Sequence, residues 1–187
     1  MLIDRLKLPL IFDTEKMQAD LELLENIDWV KHFVTQNYSG EWSIIPLRGP
    51  ENASHPILMS YSDPSCKEFS DTPFLHSLAY LPEVLKSFKC PLLAVRLMKL
   101  SAGSEIKTHT DLDLNADMGT ARLHIPIITH EKVTFLLNDE VVPFKLGECW
   151  YLRLSDPHSV VNRSDIDRVH LVIDVTMNAW LDSLLGN

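Results

Sequence analysis

The sequence has no CxxC pair, no internal repeat, no low-complexity segment and no apolar run near the ~20 residues needed to cross a bilayer. Its cysteines are few: Cys66, Cys90 and Cys149, odd in number and far apart. They argue against a disulfide framework and against a cysteine-based metal or redox site, and for reduced thiols in a cytoplasmic protein. Basic residues are in the minority, 17 Lys and Arg against 26 Asp and Glu, a net charge of −9. A nucleic-acid partner is therefore not expected, because such partners call for a basic face. Nor is binding to an anionic membrane. The N-terminus, MLIDRLKLPLIF, is too short and too charged for a secretory signal.

What is present is ordinary for a globular chain: 187 residues, 45% hydrophobic and 23% charged, enough for one domain with a sizeable core. Residues 1–90 read as a mixed part. DTEKMQADLELLENI spaces Met17, Leu21 and Leu24 as a helix does, with Asp13 or Thr14 to cap it. LPEVLKSF puts Pro82 early in a second short helix. Residues 37–73 read as long loops around a short strand near WSIIPLR.

Residues 91–176 change character. PLLAVRLMKL, ARLHIPIIT, KVTFLLND, EVVPFKL, ECWYLRL, HSVVNRS and RVHLVIDV are short, rich in β-branched residues and separated by turn signals. Asn138-Asp139 reads as a hairpin turn. Such a run of strands predicts an all-β sandwich or barrel. NAWLDSLL, within residues 177–187, predicts a terminal helix.

The stretch THTDL at residues 108–112 carries the chemistry. In an extended segment residues i and i+2 point to one side, so His109 and Asp111 aim an imidazole and a carboxylate at one place. His158, several strands downstream in SDPHSVVN, is the best third ligand. Two histidines and one carboxylate leave three open positions, the usual site of non-haem Fe(II) oxygenases. In many of these a 2-oxo acid fills two positions, and a cation holds its far carboxylate. Arg168, ten residues after His158, suits that task, since a guanidinium grips a carboxylate bidentately and stays charged when desolvated. Arg122 and His124 share parity in ARLHIPI, and Arg96 is a further cation among apolar residues. Each has a plainer reading: HxD as a solvated strand end, His158 as a turn residue, Arg168 as a rim partner of Asp165 or Asp167. His130 and His170 read as structural, with His170 near the pocket wall by parity; His32, His55 and His76 carry no signal.

HTDLD, ARLHIPI and GECWYLRLSDPHSVVNRSDIDRVHLVIDV together resemble the aspartyl/asparaginyl β-hydroxylase family of Fe(II)/2-oxoglutarate oxygenases. The likeness spans residues 29–184 and is densest over 92–175. WVKHFVTQNYSGEWSIIPLRG is similar to small bacterial members related to free-proline cis-4-hydroxylases. The resemblance implies a double-stranded β-helix, a cupin-like jelly roll, with N-terminal and C-terminal helices packed outside. It implies iron at His109, Asp111 and His158, 2-oxoglutarate at Arg168, and Arg122 and His124 lining the cosubstrate and substrate side. Animal protein hydroxylases of this family lack the carboxylate that Asp111 supplies here, so their substrates do not transfer to this chain. The expected reaction is hydroxylation of an amino acid, free or in a peptide, with 2-oxoglutarate and O₂ converted to succinate and CO₂. Arg48, Trp42 and Arg96 are candidate substrate contacts, and residues 37–73 a candidate lid. Two alternatives stay open: a non-catalytic cupin-like module that binds a small acid, and a metal-dependent dioxygenase that does not use 2-oxoglutarate. Oligomeric state is not legible.

Overall fold

The structure is a computed structural model that describes residues 3–61, 65–111 and 114–186. Leu112 and Asp113 of the HTDLD stretch, Ser62, Asp63 and Pro64 of the 37–73 segment, and the chain ends Met1, Leu2 and Asn187 lie outside the described residues.

Thirteen strands and five α-helices are described. The strands are β1 (Arg5–Ile11), β2 (Val30–Lys31), β3 (Tyr38–Ser39), β4 (Trp42–Pro50), β5 (Phe69–Asp71), β6 (Leu92–Leu100), β7 (Glu105–His109), β8 (Thr120–Ile128), β9 (Val133–Leu137), β10 (Glu140–Val141), β11 (Glu148–Leu152), β12 (His158–Asn162) and β13 (Arg168–Thr176). The helices are α1 (Thr14–Glu22), α2 (Pro56–Met59), α3 (Pro73–His76), α4 (Leu81–Lys86) and α5 (Ala179–Leu185). One sheet of eight strands runs β1-β11-β8-β13-β6-β4-β2 with β5 beside β4; a second of five runs β10-β9-β12-β7-β3. The pairings are antiparallel. This is the jelly-roll architecture that the family resemblance implied, and it falls within the sandwich or barrel predicted from the spacing of short strands.

Alternation along the central strands explains how the layers assemble. On one face of the large sheet, Val95, Leu97, Leu123, Ile125, Leu171 and Ile173 form a core with Met17, Leu81, Leu85 and Leu181 of the helices. On the other face, Trp42, Ile44, Met98, Leu100 and Val172 meet Ile106, Phe135, Leu137 and Val160 of the small sheet. β13 is therefore covered on both sides, and its first eight residues are buried.

The local signals hold where they were specific. Asp13 caps α1 by accepting the Lys16 N–H at 3.2 Å. Asn138 and Asp139 both take positive φ, 52° and 62°, as a two-residue type I′ hairpin between β9 and β10 requires. Two elements go further than the sequence suggested. The short strand near WSIIPLR is the nine-residue β4, paired along most of its length with β6, so residues 37–73 are less loop than they read. The charged N-terminal stretch also contributes β1, which extends the large sheet at β11. Neither is obvious from local pattern, because β4 is buried on both faces and carries two prolines, while β1 lies at a sheet edge. Gly49 in β4 lies against the Met59 backbone, where a Cβ would collide, which lets α2 sit close over this strand.

Candidate metal and anion site

Between the two sheets lies a cavity of about 810 Å³. It is lined by His109, Asp111, His158, Arg96, Arg122, His124, Arg168 and Trp42 among others. Thus every sequence-predicted site residue but Arg48 borders one space.

Strand register brings the two histidines together. His109 ends β7 and His158 begins β12, and the two are direct cross-strand partners with ring centroids 4.2 Å apart. Asp111 follows just after β7, tied down by its backbone N–H to the Leu154 carbonyl at 2.8 Å. One ligand atom from each of the three residues lies within 4.8 Å of the others.

The hydrogen bonds around this trio select the form a cation needs. The Lys107 carbonyl accepts from Nδ1 of His109 at 2.8 Å, and the Asp156 carbonyl from Nδ1 of His158 at 3.0 Å. A carbonyl only accepts, so each Nδ1 carries a proton, and the lone pair of the neutral ring lies on Nε2. Burial, the largest effect, pulls His158 down to about 4, which keeps it neutral. Arg122 donates to Oδ2 of Asp111 at 2.9 Å, leaving Oδ1, 3.9 Å from the His109 Nε2, on the side of the histidines. Two imidazoles bonded through Nδ1 to backbone carbonyls and one carboxylate suit a divalent first-row cation such as Fe(II).

The cations behind the trio fall into two groups. Arg96 and Arg122 clasp Asp174, which is 0% exposed: Arg122 at 2.6 and 3.0 Å, Arg96 at 3.0 and 3.4 Å. Both arginines hold the Asp174 carboxyl well below the usual carboxylate range against the opposing effect of burial. Arg122 thus lines the cavity as expected, but its donors are largely taken by Asp111 and Asp174.

Arg168 differs. It is 2% exposed, its described hydrogen bond goes to Nδ1 of His170 at 2.8 Å, and its Nε has no partner among the described residues. Burial alone pulls it down to about 9. Nε2 of His124, also buried and on the cavity wall, is equally without a partner. Burial and then the Arg168 cation push His124 and His170 well below the usual histidine range, so both rings are neutral. A buried cation facing neutral groups is a socket for an anion.

Arg48 is the correction. Its guanidinium reaches Asp71 and the carbonyls of Phe69 and Leu92, and it does not line the cavity. By alternation it would share a side with Trp42 and Ile44, but the β4–β6 register shifts between Pro46 and Arg48 and turns it to the sheet edge. Of the 37–73 segment, Asn37, Trp42, Ile44, Ser60, Tyr61, Cys66 and Phe69 do reach the cavity wall.

Sequence reading missed two residues. Asp174 was legible, because it shares parity with Arg168 and His170 in RVHLVIDV. His32 was not, because it sits in an irregular segment; it borders the cavity and stacks on Trp42.

Among the described residues, no helix is long and apolar enough to cross a membrane. The family model for aspartyl/asparaginyl beta-hydroxylase matches residues 13–177. The chain is 29% identical over 179 residues to an L-proline cis-4-hydroxylase of Rhizobium meliloti (strain 1021), covering 94% of this chain and 62% of the relative. It is 24% identical over 174 residues to L-proline cis-3-hydroxylase 1 of a Streptomyces species, covering 91% and 59%. The chain therefore spans about three fifths of the length of these curated relatives. Among solved structures, HygX from Streptomyces hygroscopicus, with nickel and 2-oxoglutarate bound, superposes with a TM-score of 0.57 at 13% identity, over 95% of this chain and 84% of that one.

Proposed function

This chain belongs to the aspartyl/asparaginyl β-hydroxylase family, and on that premise we propose that it is an Fe(II)- and 2-oxoglutarate-dependent hydroxylase of a free amino acid. The observation that carries the reading is one cavity holding both an oxygenase-type ligand trio and a buried arginine with no counter-carboxylate among the described residues. The substrate R–H, O₂ and 2-oxoglutarate would give R–OH, succinate and CO₂. Relatives named as proline hydroxylases favour a free amino acid over a peptide.

His109, Asp111 and His158 would hold the iron, which supplies the redox chemistry that activates O₂. The protein's own part is positioning. Arg168 receives the far carboxylate of the 2-oxo acid, with His124 beside it as the second group left without a partner. Arg122 holds Asp111 by its outer oxygen and so fixes the carboxylate's orientation. Arg96 and Arg122, neutralised by Asp174 and Asp111, form the opposite wall of the cavity, and Trp42 shapes that wall.

Anaerobic addition of Fe(II) and 2-oxoglutarate should produce the visible absorption band of the chelate, and air with an amino-acid panel should then yield succinate. His109→Ala should abolish both. An iron-loaded, folded protein with no band overturns the 2-oxoglutarate reading; a band without succinate on any amino acid overturns the hydroxylase reading.

A further inference from the structure

Two N–H groups on the cavity wall have no use in the reaction described so far. Trp42 is 6% exposed, and its Nε1–H has no partner among the described residues. His32 lies flat on this indole, with centroids 3.6 Å apart and planes 8° from parallel, and Phe33 stacks on the imidazole in turn. Nδ1 of His32 accepts the Val34 backbone N–H at 3.3 Å. A nitrogen that accepts a backbone N–H carries no proton, so in the neutral ring the proton sits on Nε2. Burial, followed by the cations of Arg96 and Arg122, pushes His32 down to about 3, so the neutral ring persists. The ring is half-buried and borders the cavity. The stack thus presents two neutral donors to the cavity.

A buried donor such as the Trp42 Nε1–H is rarely left unmade unless a ligand completes it, and the half-buried His32 sets its Nε2–H on the same cavity wall. A carboxylate is the wrong ligand for this pair, since the guanidinium groups of the same cavity bind it with charge. A bare hydrocarbon ring would leave both donors unmet. We propose that His32 and Trp42 form a subsite for a neutral oxygen acceptor on the substrate's side chain. The substrate is then an amino acid bearing an amide carbonyl or a hydroxyl. The inference rests on the oxygenase reading above and extends it to specificity. A site built around a hydrogen bond rejects analogues that lack the acceptor far more strongly than an apolar pocket does.

The test is calorimetric titration of the full chain, loaded with Ni(II) and 2-oxoglutarate, with L-glutamine, L-threonine, L-proline and L-glutamate. Glutamine or threonine should bind at least about tenfold tighter than proline and glutamate, and which of the two wins distinguishes amide from hydroxyl. Trp42→Phe, which keeps the stack and removes Nε1–H, and His32→Phe, which removes Nε2–H, should each erode that preference about tenfold. His32→Gln, which restores an N–H, should recover part of it. A purely structural stack predicts no difference between His32→Phe and His32→Gln in selectivity. Binding of proline or glutamate as tight as that of the others, absent binding of all four, or a preference that survives both Phe variants overturns the subsite. The Fe(II)–2-oxoglutarate band separates the two failures: without it in the wild type the oxygenase reading falls, and with it intact only the subsite does.

Discussion

Arg96 and Arg122 on one side, and Arg168 on the other, are buried arginines of the same cavity in opposite electrostatic condition. The first two share Asp174 and, through Arg122, Asp111, so two cations face two carboxylates. Arg168 has a neutral imidazole beside it and an orphaned Nε. The difference separates architecture from recognition. Balanced charge is finished by the fold itself and holds β6, β8 and β13 in place around Asp174. Unbalanced charge is finished by something that arrives.

Substitutions at the two places should therefore fail in different ways. The largest effect is expected from Asp174→Asn, which strands Arg96 and leaves Arg122 with Asp111 alone; breaking such a pair costs about 3–5 kcal/mol, readable as a large loss of urea stability in the metal-free protein. If stability barely moves, the balanced group is not structural. Arg168→Met should do the reverse: 2-oxoglutarate affinity falls at least ~100-fold, in line with the loss of one partner of a buried charge pair, while metal-free stability is unchanged or higher because a buried charge is gone. Equal damage to stability from both variants would erase the contrast.

Acidification gives a smaller effect with a defined sign. Burial lowers His32 to about 3 and His158 to about 4, and lowers His124 and His170 as well. An unfolded chain takes up these protons near pH 6.5, whereas the folded one does not. Metal-free stability should be full above about pH 6.5 and decline as pH falls toward 4. The carboxylate of Asp174 acts lower, since its stabilising effect is lost only below its unfolded value near 3.8. A thermal melt series across pH 4–7.5 that stays flat would contradict the neutral-histidine account. The smallest effect belongs to Arg48→Ala. Its partly exposed ion pair with Asp71 is of a kind worth roughly 0–1 kcal/mol, and 2-oxoglutarate-dependent turnover should stay near wild type.

How much of this the sequence carried depends on where the partner of each residue lies. His109 and Asp111 were legible as a pair from period-two geometry, and His158 and Arg168 joined them through their spacing and the family resemblance that shares it. The same parity placed Arg122 and His124 correctly on the cavity side. The role of Arg122 was not legible, because its grip on Asp174 joins residues 52 apart in the chain. Arg48 misled for a related reason: alternation assumes an unbroken register, and β4 has a shift just before it. Long irregular segments carry the least signal, and His32 sits in one. An all-β sandwich or barrel was clear from the second half and its jelly-roll form from the family resemblance, while the share taken by β1 and β4 depended on pairing with distant strands.

The direct pairing of His109 with His158 has one more consequence. A slip of strand register by one residue exchanges the two faces of a sheet. A cation held by both histidines would be bound only in the native alignment of β7 and β12. Metal loading would then act as a proofreading step on the small sheet, stabilising the one alignment in which the catalyst exists and leaving every slipped alignment inactive.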